Sequence, residues 1–148
     1  MAVRVQIEDF DIAAEIAALT TGHGDVGAIV TFTGRVRSNE GQLAAVTLEH
    51  YPGMTEAELA RIEAEARARW PLQASLIVHR VGELTPGDNI VLVVTASAHR
   101  QAAFEAAGFL MDYLKTRAPF WKKEVSVSGD SAWVEARQRD ESATKRWS

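Results

Sequence analysis

The chain has 148 residues, 16 lysines and arginines against 20 aspartates and glutamates, a net charge of -4, and no cysteine. This length fits one domain, residues 1–148, whose core needs no disulfide or metal. The lack of cysteine excludes thiolate catalysis and Cys-ligated zinc or iron–sulfur clusters, and the negative charge argues against nonspecific nucleic-acid binding. Because the sequence has no long apolar run and no signal-like amino terminus, we expect a cytoplasmic protein that does not enter a membrane.

The first third of the chain predicts three strands and one short helix. Residues 3–8 alternate apolar and polar side chains, which is typical of a half-buried strand. Asp11 is placed to start a helix over residues 12–19, which a glycine-containing loop ends. Residues 27–33 are rich in β-branched and aromatic side chains, and residues 43–49 follow a polar loop. Both segments are therefore predicted strands.

A second helix and a hairpin come next in the chain. Thr55, with Glu58 three residues later, predicts a capping box at the start of the helix, and the Pro that follows Trp70 predicts its end. Residues 74–82 and 89–97 are apolar and are joined by a segment that contains Pro-Gly-Asp. This tight-turn sequence predicts that the two strands form a hairpin.

The last third begins with the longest helical pattern, residues 99–116. Pro119 then forces an extended path over residues 120–127, and residues 132–136 are placed to pair back with it. Residues 137–148 are charged apart from one tryptophan, and we expect them to form a surface tail. Hairpin-joined strands and about three helices predict an α+β domain with a mostly antiparallel sheet.

A lysine ends one row of side chains on the long helix. Residues three, four, seven and eleven apart share a helix face. The core stripe is Ala103, Ala107, Leu110 and Leu114, and the row beside it is Phe104, Gly108, Met111 and Lys115. We therefore expect Lys115 to be partly desolvated. It is either a cation favoured at the helix C-terminus by roughly 0.3–1 kcal/mol, or an amine for proton transfer or nucleophilic attack.

A second lysine follows in the predicted strand, after the proline that turns the chain back towards the helix end. An ideal strand would place Phe120, Lys122 and Glu124 on one face. Trp121 and Lys123 would then point the other way. The alternation thus predicts that Lys122 shares a pocket with Lys115, whereas the role of Lys123 is less well defined.

Two further basic pairs are candidates for binding an anion. Arg35 and Arg37 follow a strand two residues apart, so both guanidinium groups could grip one phosphate. His99 and Arg100 begin the long helix, where backbone N–H groups and the helix dipole favour an anion. Each pair has a simpler explanation, since surface arginines often only solvate a loop and His99 could be a polar helix cap.

The candidate residues conflict in distance. Arg100 and Lys115 lie on one predicted helix, and their separation along an unbroken helix is roughly 22 Å at about 1.5 Å per residue. One small ligand cannot touch both residues of the same chain. If both serve one site, either the helix breaks or the second end comes from another copy of the chain, and we predict a homodimer with a composite site.

Recognisable cofactor and metal motifs are missing from the sequence. There is no Walker loop, Gly-x-Ser-x-Gly elbow or dinucleotide fingerprint. His23, His50 and His79 show no metal-ligand spacing, and we interpret them as loop or sheet histidines. We therefore expect neither a metal site nor a resident cofactor.

Several stretches together resemble one known family. They are "FTGRVR" (32–37), "LEHYPGM" (48–54), "HRVGEL" (79–84), "SAHRQAAFEA" (97–106), "MDYLKTRAPFWKKE" (111–124) and "WVEAR" (133–137). In this order they resemble the large, catalytic subunit of molybdopterin synthase, the MoaE family. The match runs through nearly the whole chain, and "LKTRAPFWKKE" is the most specific part of it.

The resemblance implies a fold, a reaction and two kinds of partner. The fold is a hammerhead-type α+β domain, and the assembly is a dimer of large subunits, each with one small ubiquitin-like carrier, giving a heterotetramer. The carrier ends in Gly-Gly and bears a C-terminal thiocarboxylate. Two sulfurs pass in successive rounds to cyclic pyranopterin monophosphate, which opens the cyclic phosphate and forms the dithiolene of molybdopterin. The chain would thus be a sulfurtransferase of molybdenum cofactor biosynthesis.

The resemblance also implies roles for individual residues. Lys115 resembles the essential catalytic lysine of the family and Lys122 its second active-site lysine. The residues that resemble substrate-binding positions are Arg35, Val36 and Arg37 in the loop, His99 and Arg100 at the pterin phosphate, Lys115, Lys122, Lys123 and Glu124 in the matched segment, and Arg137 as an arginine that lines the pocket.

Two rival functions remain open at the level of the sequence. The same arginines and lysines could serve a phosphate-ester hydrolase or transferase, although no carboxylate set for a catalytic metal is visible. A non-catalytic module could instead bind an acidic peptide tail in a basic cleft. A turnover measurement on a Lys115→Ala variant distinguishes a catalyst from a pure binding module.

Overall fold

The computed structural model describes residues 2–134 and 143–147. Strands and helices alternate irregularly along the chain. In chain order they are β1 (Ala2–Gln6), α1 (Ile12–Thr20), β2 (Ala28–Arg35), β3 (Leu43–His50), α2 (Met54–Arg69), β4 (Leu72–Arg80), β5 (Gly82–Leu84), β6 (Asn89–Ser97), α3 (Arg100–Arg117), β7 (Phe120–Ser126) and β8 (Ser131–Val134). A further single helical turn covers residues 143–145. The α+β class and the three predicted helices are confirmed.

The strands form two four-stranded sheets, where the sequence had suggested one. The first sheet has the order β1-β4-β6-β2 and the second the order β5-β3-β7-β8. Only β1 and β4 pair in parallel, and the other neighbouring strands are antiparallel. The mostly antiparallel character that the sequence predicted is therefore present in both sheets.

The first sheet forms the main core because helices cover both of its faces. Ile77 and Val93 pack with α2 and α3, whereas Val78 and Val94 pack on the opposite face with α1. All four side chains are fully buried. This explains why the central strands β4 and β6 read as continuous apolar runs and not as alternating ones. The second sheet has a smaller core of its own, which includes Val46.

The predicted hairpin is only partly correct. β4 and β6 do pair antiparallel, with Ile77 opposite Val93. However, the first strand ends at Arg80, and Gly82 adopts a φ of 93°, which side-chain-bearing residues rarely adopt. The chain therefore leaves the first sheet, and β5 pairs with β3 in the second sheet. This excursion joins the two sheets at the edge of the cavity described below.

The predicted capping box of α2 is wrong in its residues. The N-cap is Gly53, whose backbone N–H donates to Glu56 Oε1 at 3.1 Å. Thr55 is instead fully buried inside the first turn, where its hydroxyl donates to the carbonyl of Pro119 at 2.9 Å and accepts from the N–H of Tyr51. The threonine therefore ties the start of α2 to the start of β7.

The C-terminal segment differs from the surface tail that the sequence suggested. Trp147 packs in the main core cluster, with its ring 5.6 Å from Trp70 and 5.7 Å from Phe109. Its Nε1 donates to Asp112 Oδ2 at 2.6 Å, and the Arg146 guanidinium pairs with the same carboxylate at 2.7 Å. The aromatic side chain thus anchors the last residues to α3, although the segment forms no core by itself.

Candidate active site

A cavity of about 440 Å³ opens where the two sheets meet the C-terminal end of α3. Its walls come from β2 and the loop after it, from β3, β4, β6 and β7, and from the last turn of α3. Buried side chains such as Leu48 and Val91 form the apolar part of the lining. The cavity therefore combines an apolar floor with a few polar side chains, as small-molecule sites commonly do.

The charged groups around this cavity are mostly positive. Among the described residues that line it, the cations are Arg35, Arg37, Lys115 and Lys122, and the carboxylate is Glu124. Lys122 Nζ lies 3.5 Å from Glu124 Oε1, and both side chains are only partly exposed. An excess of cations over a concave surface attracts anions, even though the chain as a whole is negative. The described lining of the cavity is therefore suited to bind an anion.

The loop with the two arginines is held in place by the turn before β6. Val36 is buried, its N–H donates to the carbonyl of Asp88 at 2.9 Å, and its own carbonyl accepts from the N–H of Gly87 at 2.8 Å. Arg35 donates from Nε and Nη2 to the carbonyl of Gly87, at 3.1 and 2.8 Å. One fork of Arg35 is thus occupied by the backbone, so Arg37 is the better placed of the two to grip a phosphate bidentately.

The two lysines lie on the cavity as predicted, and the Lys115 side chain is exposed. Leu114 beside it is 3% exposed, while Phe104, at the start of the same row, is 63% exposed, so the row was never a buried one. A lysine in the last turn of a helix can extend its amine into water, which accounts for the difference. Lys122 lines the cavity, whereas Lys123 does not, in agreement with the predicted alternation.

One aromatic residue departs from that alternation. Trp121 lines the rim of the cavity although it is on the strand face that carries Lys123, and its side chain is 47% exposed. Phe120, on the inward face, stacks on His79 with ring centroids 3.7 Å apart and an interplanar angle of 18°. Flat aromatic surface is therefore available both inside the cavity and at its mouth.

His79 is a cavity residue that the sequence analysis missed. It is 4% exposed, and its Nδ1 lies 2.8 Å from the carbonyl of Arg80. Burial lowers the pKa of His79 to about 4, and the nearby charges of Lys115 and His50 act in the same direction. The signal that could have found it is the position of a histidine at the end of an otherwise apolar central strand.

His99 and Arg100 lie at the other end of the molecule's longest helix. α3 runs without a break from Arg100 to Arg117, with His99 as its N-cap, and neither residue lines the cavity of the same chain. The predicted distance conflict with Lys115 is therefore real. Arg137, the remaining predicted site residue, lies outside the described residues.

Metal and membrane features can be checked for the part of the chain that the structure describes. Within residues 2–134 and 143–147, no group of three or more His, Cys, Asp or Glu side chains is arranged to hold a metal ion. In the same residues, no helix combines the length and the apolar character needed to cross a bilayer.

Comparisons with known proteins agree on one family. The family described as "MoaE protein" matches residues 5–117. A molybdopterin synthase catalytic subunit from Mesorhizobium japonicum is 64% identical over 146 residues, which is 98% of this chain and 92% of the relative. Its counterpart from Escherichia coli K12 is 56% identical over 142 residues, which is 95% of this chain and 93% of the relative.

A solved structure extends this agreement to the fold. The MoaE protein of Burkholderia ambifaria MC40-6 matches with a TM-score of 0.85 and 50% identity, over 99% of this chain and 98% of that one. The match therefore includes β7 and β8, which lie beyond the residues that the family description covers. The fold class and the resemblance are confirmed, and the chain belongs to the MoaE family.

Proposed function

We propose that the chain is the catalytic subunit of a molybdopterin synthase. It transfers sulfur from the C-terminal thiocarboxylate of a small ubiquitin-like carrier to cyclic pyranopterin monophosphate, and so forms the dithiolene of molybdopterin. The observation that carries this proposal is the cavity in which two arginines and two lysines surround an apolar floor. A fused ring that bears a phosphate matches both the apolar floor and the cations of such a site. Relatives that align with more than 90% of the chain are named molybdopterin synthase catalytic subunits.

The arginine loop is the element that binds the phosphate. Arg37 lines the cavity from the loop that Val36 anchors, and Arg35 contributes the part of its guanidinium that Gly87 does not occupy. Charge-assisted hydrogen bonds from guanidinium groups to phosphate are short and directional. The loop therefore fixes the substrate by its anionic end, while Phe120 offers the ring system a flat apolar surface.

The two lysines act on the reacting atoms. Lys115 serves as the main acid/base group at the tetrahedral centre and the leaving oxygen, and a covalent adduct with the terminal carbonyl of the carrier is an additional route open to its amine. Lys122 supports it with positive charge, and Glu124, 3.5 Å away, holds Lys122 in place. Fixed cations at a site of developing negative charge are among the strongest contributions to catalysis.

The sulfur comes from a partner, because the chain contains no cysteine of its own. The relatives are named catalytic subunits, and this name implies that the enzyme has a second kind of subunit. A shallower cavity of about 250 Å³ adjoins the main one and shares Asn39, Leu43 and Glu124 with it. This groove is the path along which the Gly-Gly tail of the carrier reaches Lys115.

The site is completed by a second copy of the chain. His99 and Arg100 lie too far along α3 to join the cavity of their own chain. Phe32 on β2 and Phe104 on α3 expose large apolar side chains, and these two elements pack against each other. Such a surface suits a second protomer, whose His99 and Arg100 then contact the substrate phosphate. With one carrier per chain the assembly is a heterotetramer, and it works in the cytoplasm without a resident cofactor.

The experiment that tests this function is a reconstitution. The purified chain is mixed with a thiocarboxylated Gly-Gly carrier and cyclic pyranopterin monophosphate, and dithiolene product is measured. We expect product only when all three components are present and the carrier bears the thiocarboxylate. A carrier with an ordinary carboxylate is the matched control. Folded protein that binds its cognate carrier but yields no product would refute the proposal.

A further inference from the structure

Thr55 is a buried threonine where three segments of the chain meet, and it has no role in the mechanism described above. Its side chain is fully buried in the first turn of α2. The hydroxyl accepts from the N–H of Tyr51, which follows β3, and donates to the carbonyl of Pro119, which precedes β7, both at 2.9 Å. The N–H of Thr55 also donates to the carbonyl of Tyr51 at 2.9 Å. One residue therefore links the end of β3, the start of α2 and the start of β7.

The chain passes from α3 into β7 through a corner formed by Ala118 and Pro119. Ala118 is extended, with a φ of -73° and a ψ of 129°, so the helix has ended before the strand begins. The N–H of Phe120 bonds within the corner, to the carbonyl of Ala118 at 2.9 Å. Because proline has no N–H, its carbonyl is the only hydrogen-bonding group that the Pro119 backbone offers. The Thr55 hydroxyl therefore ties the backbone of this corner to another element.

The ladder between β3 and β7 ends at the same corner. Its last pair is His50 with Phe120, because β3 ends at His50 and the chain then turns into α2. β3 therefore offers no residue opposite Pro119, and the Thr55 hydroxyl extends the ladder by one bond. The ends of a hydrogen-bonded element open more readily than its middle. This bond therefore matters most for the first residues of β7.

Lys122 depends on the corner more than Lys115 does. Lys115 belongs to α3, whose last turns are held in the main core by residues such as Leu114. Lys122 instead lies three residues beyond Pro119, on the cavity face of β7. A change in the corner would therefore move Lys122 relative to Lys115. Glu124, whose Oε1 is 3.5 Å from the Lys122 amine, restrains the side chain but moves with the same strand.

We propose that Thr55 is a positioning residue for Lys122: its hydroxyl fixes the Pro119 corner and so sets where Lys122 stands relative to Lys115 in the cavity. Thr55 acts from behind the wall, since it is not among the described residues that line the cavity. Displacing a catalytic group by about 1 Å can cost about 10²-fold in rate. The inference rests on the proposed function, because that function requires both amines to act at the same reacting atoms.

Two substitutions of Thr55 and one control separate positioning from packing. Thr55→Val keeps the shape of the side chain and removes both hydrogen bonds of the hydroxyl, whereas Thr55→Ser keeps the hydroxyl. Thr95→Val is the matched control, because Thr95 is also fully buried, donates to the carbonyl of Ala103 at 2.7 Å, and lies outside the described lining of the cavity. Thermal unfolding should show a lower Tm for both valine variants and a smaller loss for Thr55→Ser.

We expect Thr55→Val to lower kcat by about tenfold or more in the assay with carrier and cyclic pyranopterin monophosphate. KM should change less, because Asp88 and Gly87 anchor the arginine loop that holds the phosphate. Thr55→Ser should restore most of kcat, and Thr95→Val should keep kcat close to that of the wild type. In a Lys122→Ala background, Thr55→Val should have little further effect, because the group that it misplaces is already absent. An equal fold-loss in both backgrounds, or the same kcat in both valine variants, would overturn the inference.

The position of the strand is checked without any turnover. Because the chain contains no cysteine, Lys115→Cys and Lys122→Cys together introduce two unique thiols for nitroxide labels. The labelled chain is refolded with excess unlabelled chain, so that labels on different protomers do not interact. Dipolar broadening in the EPR spectrum should report one narrow distance distribution, which Thr55→Val broadens and which Thr55→Ser and Thr95→Val leave unchanged.

The two kinds of measurement fail separately. An EPR spectrum that Thr55→Val leaves unchanged would overturn the positioning role while the wild type still makes product. A wild type that makes no product with its cognate carrier overturns the proposed function itself, and the catalytic role of Thr55 falls with it.

Discussion

The two ends of α3 differ in what surrounds them. At the C-terminal end, Lys115 follows the buried Leu114 and joins three other cations on one cavity. At the N-terminal end, His99 and Arg100 cap a helix whose first turn contains no acidic residue, and they line no part of that cavity. One rigid helix thus carries two sets of basic residues that cannot meet within a chain. This separation supports the proposed homodimer, in which His99 and Arg100 of one protomer join the arginine loop and the lysines of the other protomer's cavity.

The largest effect should come from removing the amine at the C-terminal end. We expect Lys115→Ala to lower kcat by about 10²- to 10⁴-fold, the usual contribution of a positioned acid/base group, while carrier binding persists. Single-turnover dithiolene formation and carrier pull-down measure the two properties. Lys123→Ala is the matched control, because it removes the same charge from a residue of β7 outside the cavity lining. Equal losses in both variants would mean that net charge, and not Lys115, matters.

The next largest effect should come from the other end of the helix. We expect Arg100→Ala to raise KM for cyclic pyranopterin monophosphate by about 10- to 100-fold, because one charge-assisted hydrogen bond is lost. kcat should change less than KM, because in the proposed site Arg100 holds the phosphate while Lys115 is the main acid/base group.

Mixing variants tests whether the two ends belong to one composite site. The mixture is assayed at a substrate concentration well below the wild-type KM, where both parent variants are nearly inactive. Lys115→Ala and Arg100→Ala chains, unfolded together and refolded as a mixture, should there regain about a quarter of wild-type activity, because half of the random dimers contain one intact site out of two. If each site lay within a single chain, mixed dimers would contain no intact site, and the mixture would be no more active than the average of its parents.

The sequence predicted which residues at the C-terminal end of α3 face the cavity better than it predicted the hydrogen bonds around them. Helical spacing identified the core stripe and Lys115, and strand alternation separated Lys122 from Lys123, because these patterns depend only on local geometry. The degree of exposure of Lys115 does not follow from helical spacing, since it depends on how far a long side chain extends beyond the helix end. The occupied fork of Arg35 and the role of Thr55 depend on hydrogen bonds to residues 52 and 64 positions away, which no local pattern records.

The division of the strands into two sheets was also not predicted from the sequence, because it depends on contacts between distant residues. Gly82 was placed at the end of the predicted strand 74–82, and its positive φ instead redirects the chain into β5. His79, three residues earlier, was interpreted as an ordinary sheet histidine. Its place in the cavity wall follows only once β7 brings Phe120 against it. Site residues that depend on contact between the two sheets were therefore beyond prediction.

A pH titration of stability tests His79, the buried histidine near the C-terminal end of α3. The folded pKa of His79, about 4, lies below the ordinary value of 6.5, so its contribution to stability is complete above pH 6.5 and is lost as pH falls towards 4. Between about pH 7 and pH 5.5 we expect a loss of about 1 kcal/mol, or roughly 3 °C in Tm.

Glu63 acts in the opposite direction and must be separated from this effect. Burial raises the pKa of Glu63, so its contribution to stability grows as pH falls. The measurement is therefore the difference in the pH dependence of Tm between wild type and a His79→Asn variant, in which the Glu63 contribution cancels. Parallel curves for the two proteins would show that His79 does not titrate with unfolding in this range.

The smallest effect should come from the turn that holds the arginine loop beside Lys115. Gly87 has a φ of 94°, and a Cβ there would lie 3.6 Å from Arg35 Nη2, which is an ordinary contact. Gly87→Ala should therefore cost about 1 kcal/mol of stability through its backbone conformation alone. The Gly87 carbonyl also accepts both hydrogen bonds from Arg35. The strained turn should therefore raise KM by about two- to tenfold, which corresponds to the weakening of one hydrogen bond.

Gly129→Ala provides the matched control for this last substitution. Gly129 has a φ of 93° in the turn between β7 and β8, and no atom of the described residues lies within 4 Å of a Cβ placed there. Both variants should lose similar stability in thermal unfolding, but only Gly87→Ala should weaken substrate binding. If KM rises equally in both variants, general loosening of the fold explains the effect. If it rises only in Gly87→Ala, the Arg35–Gly87 contact positions the arginine loop that binds the substrate phosphate.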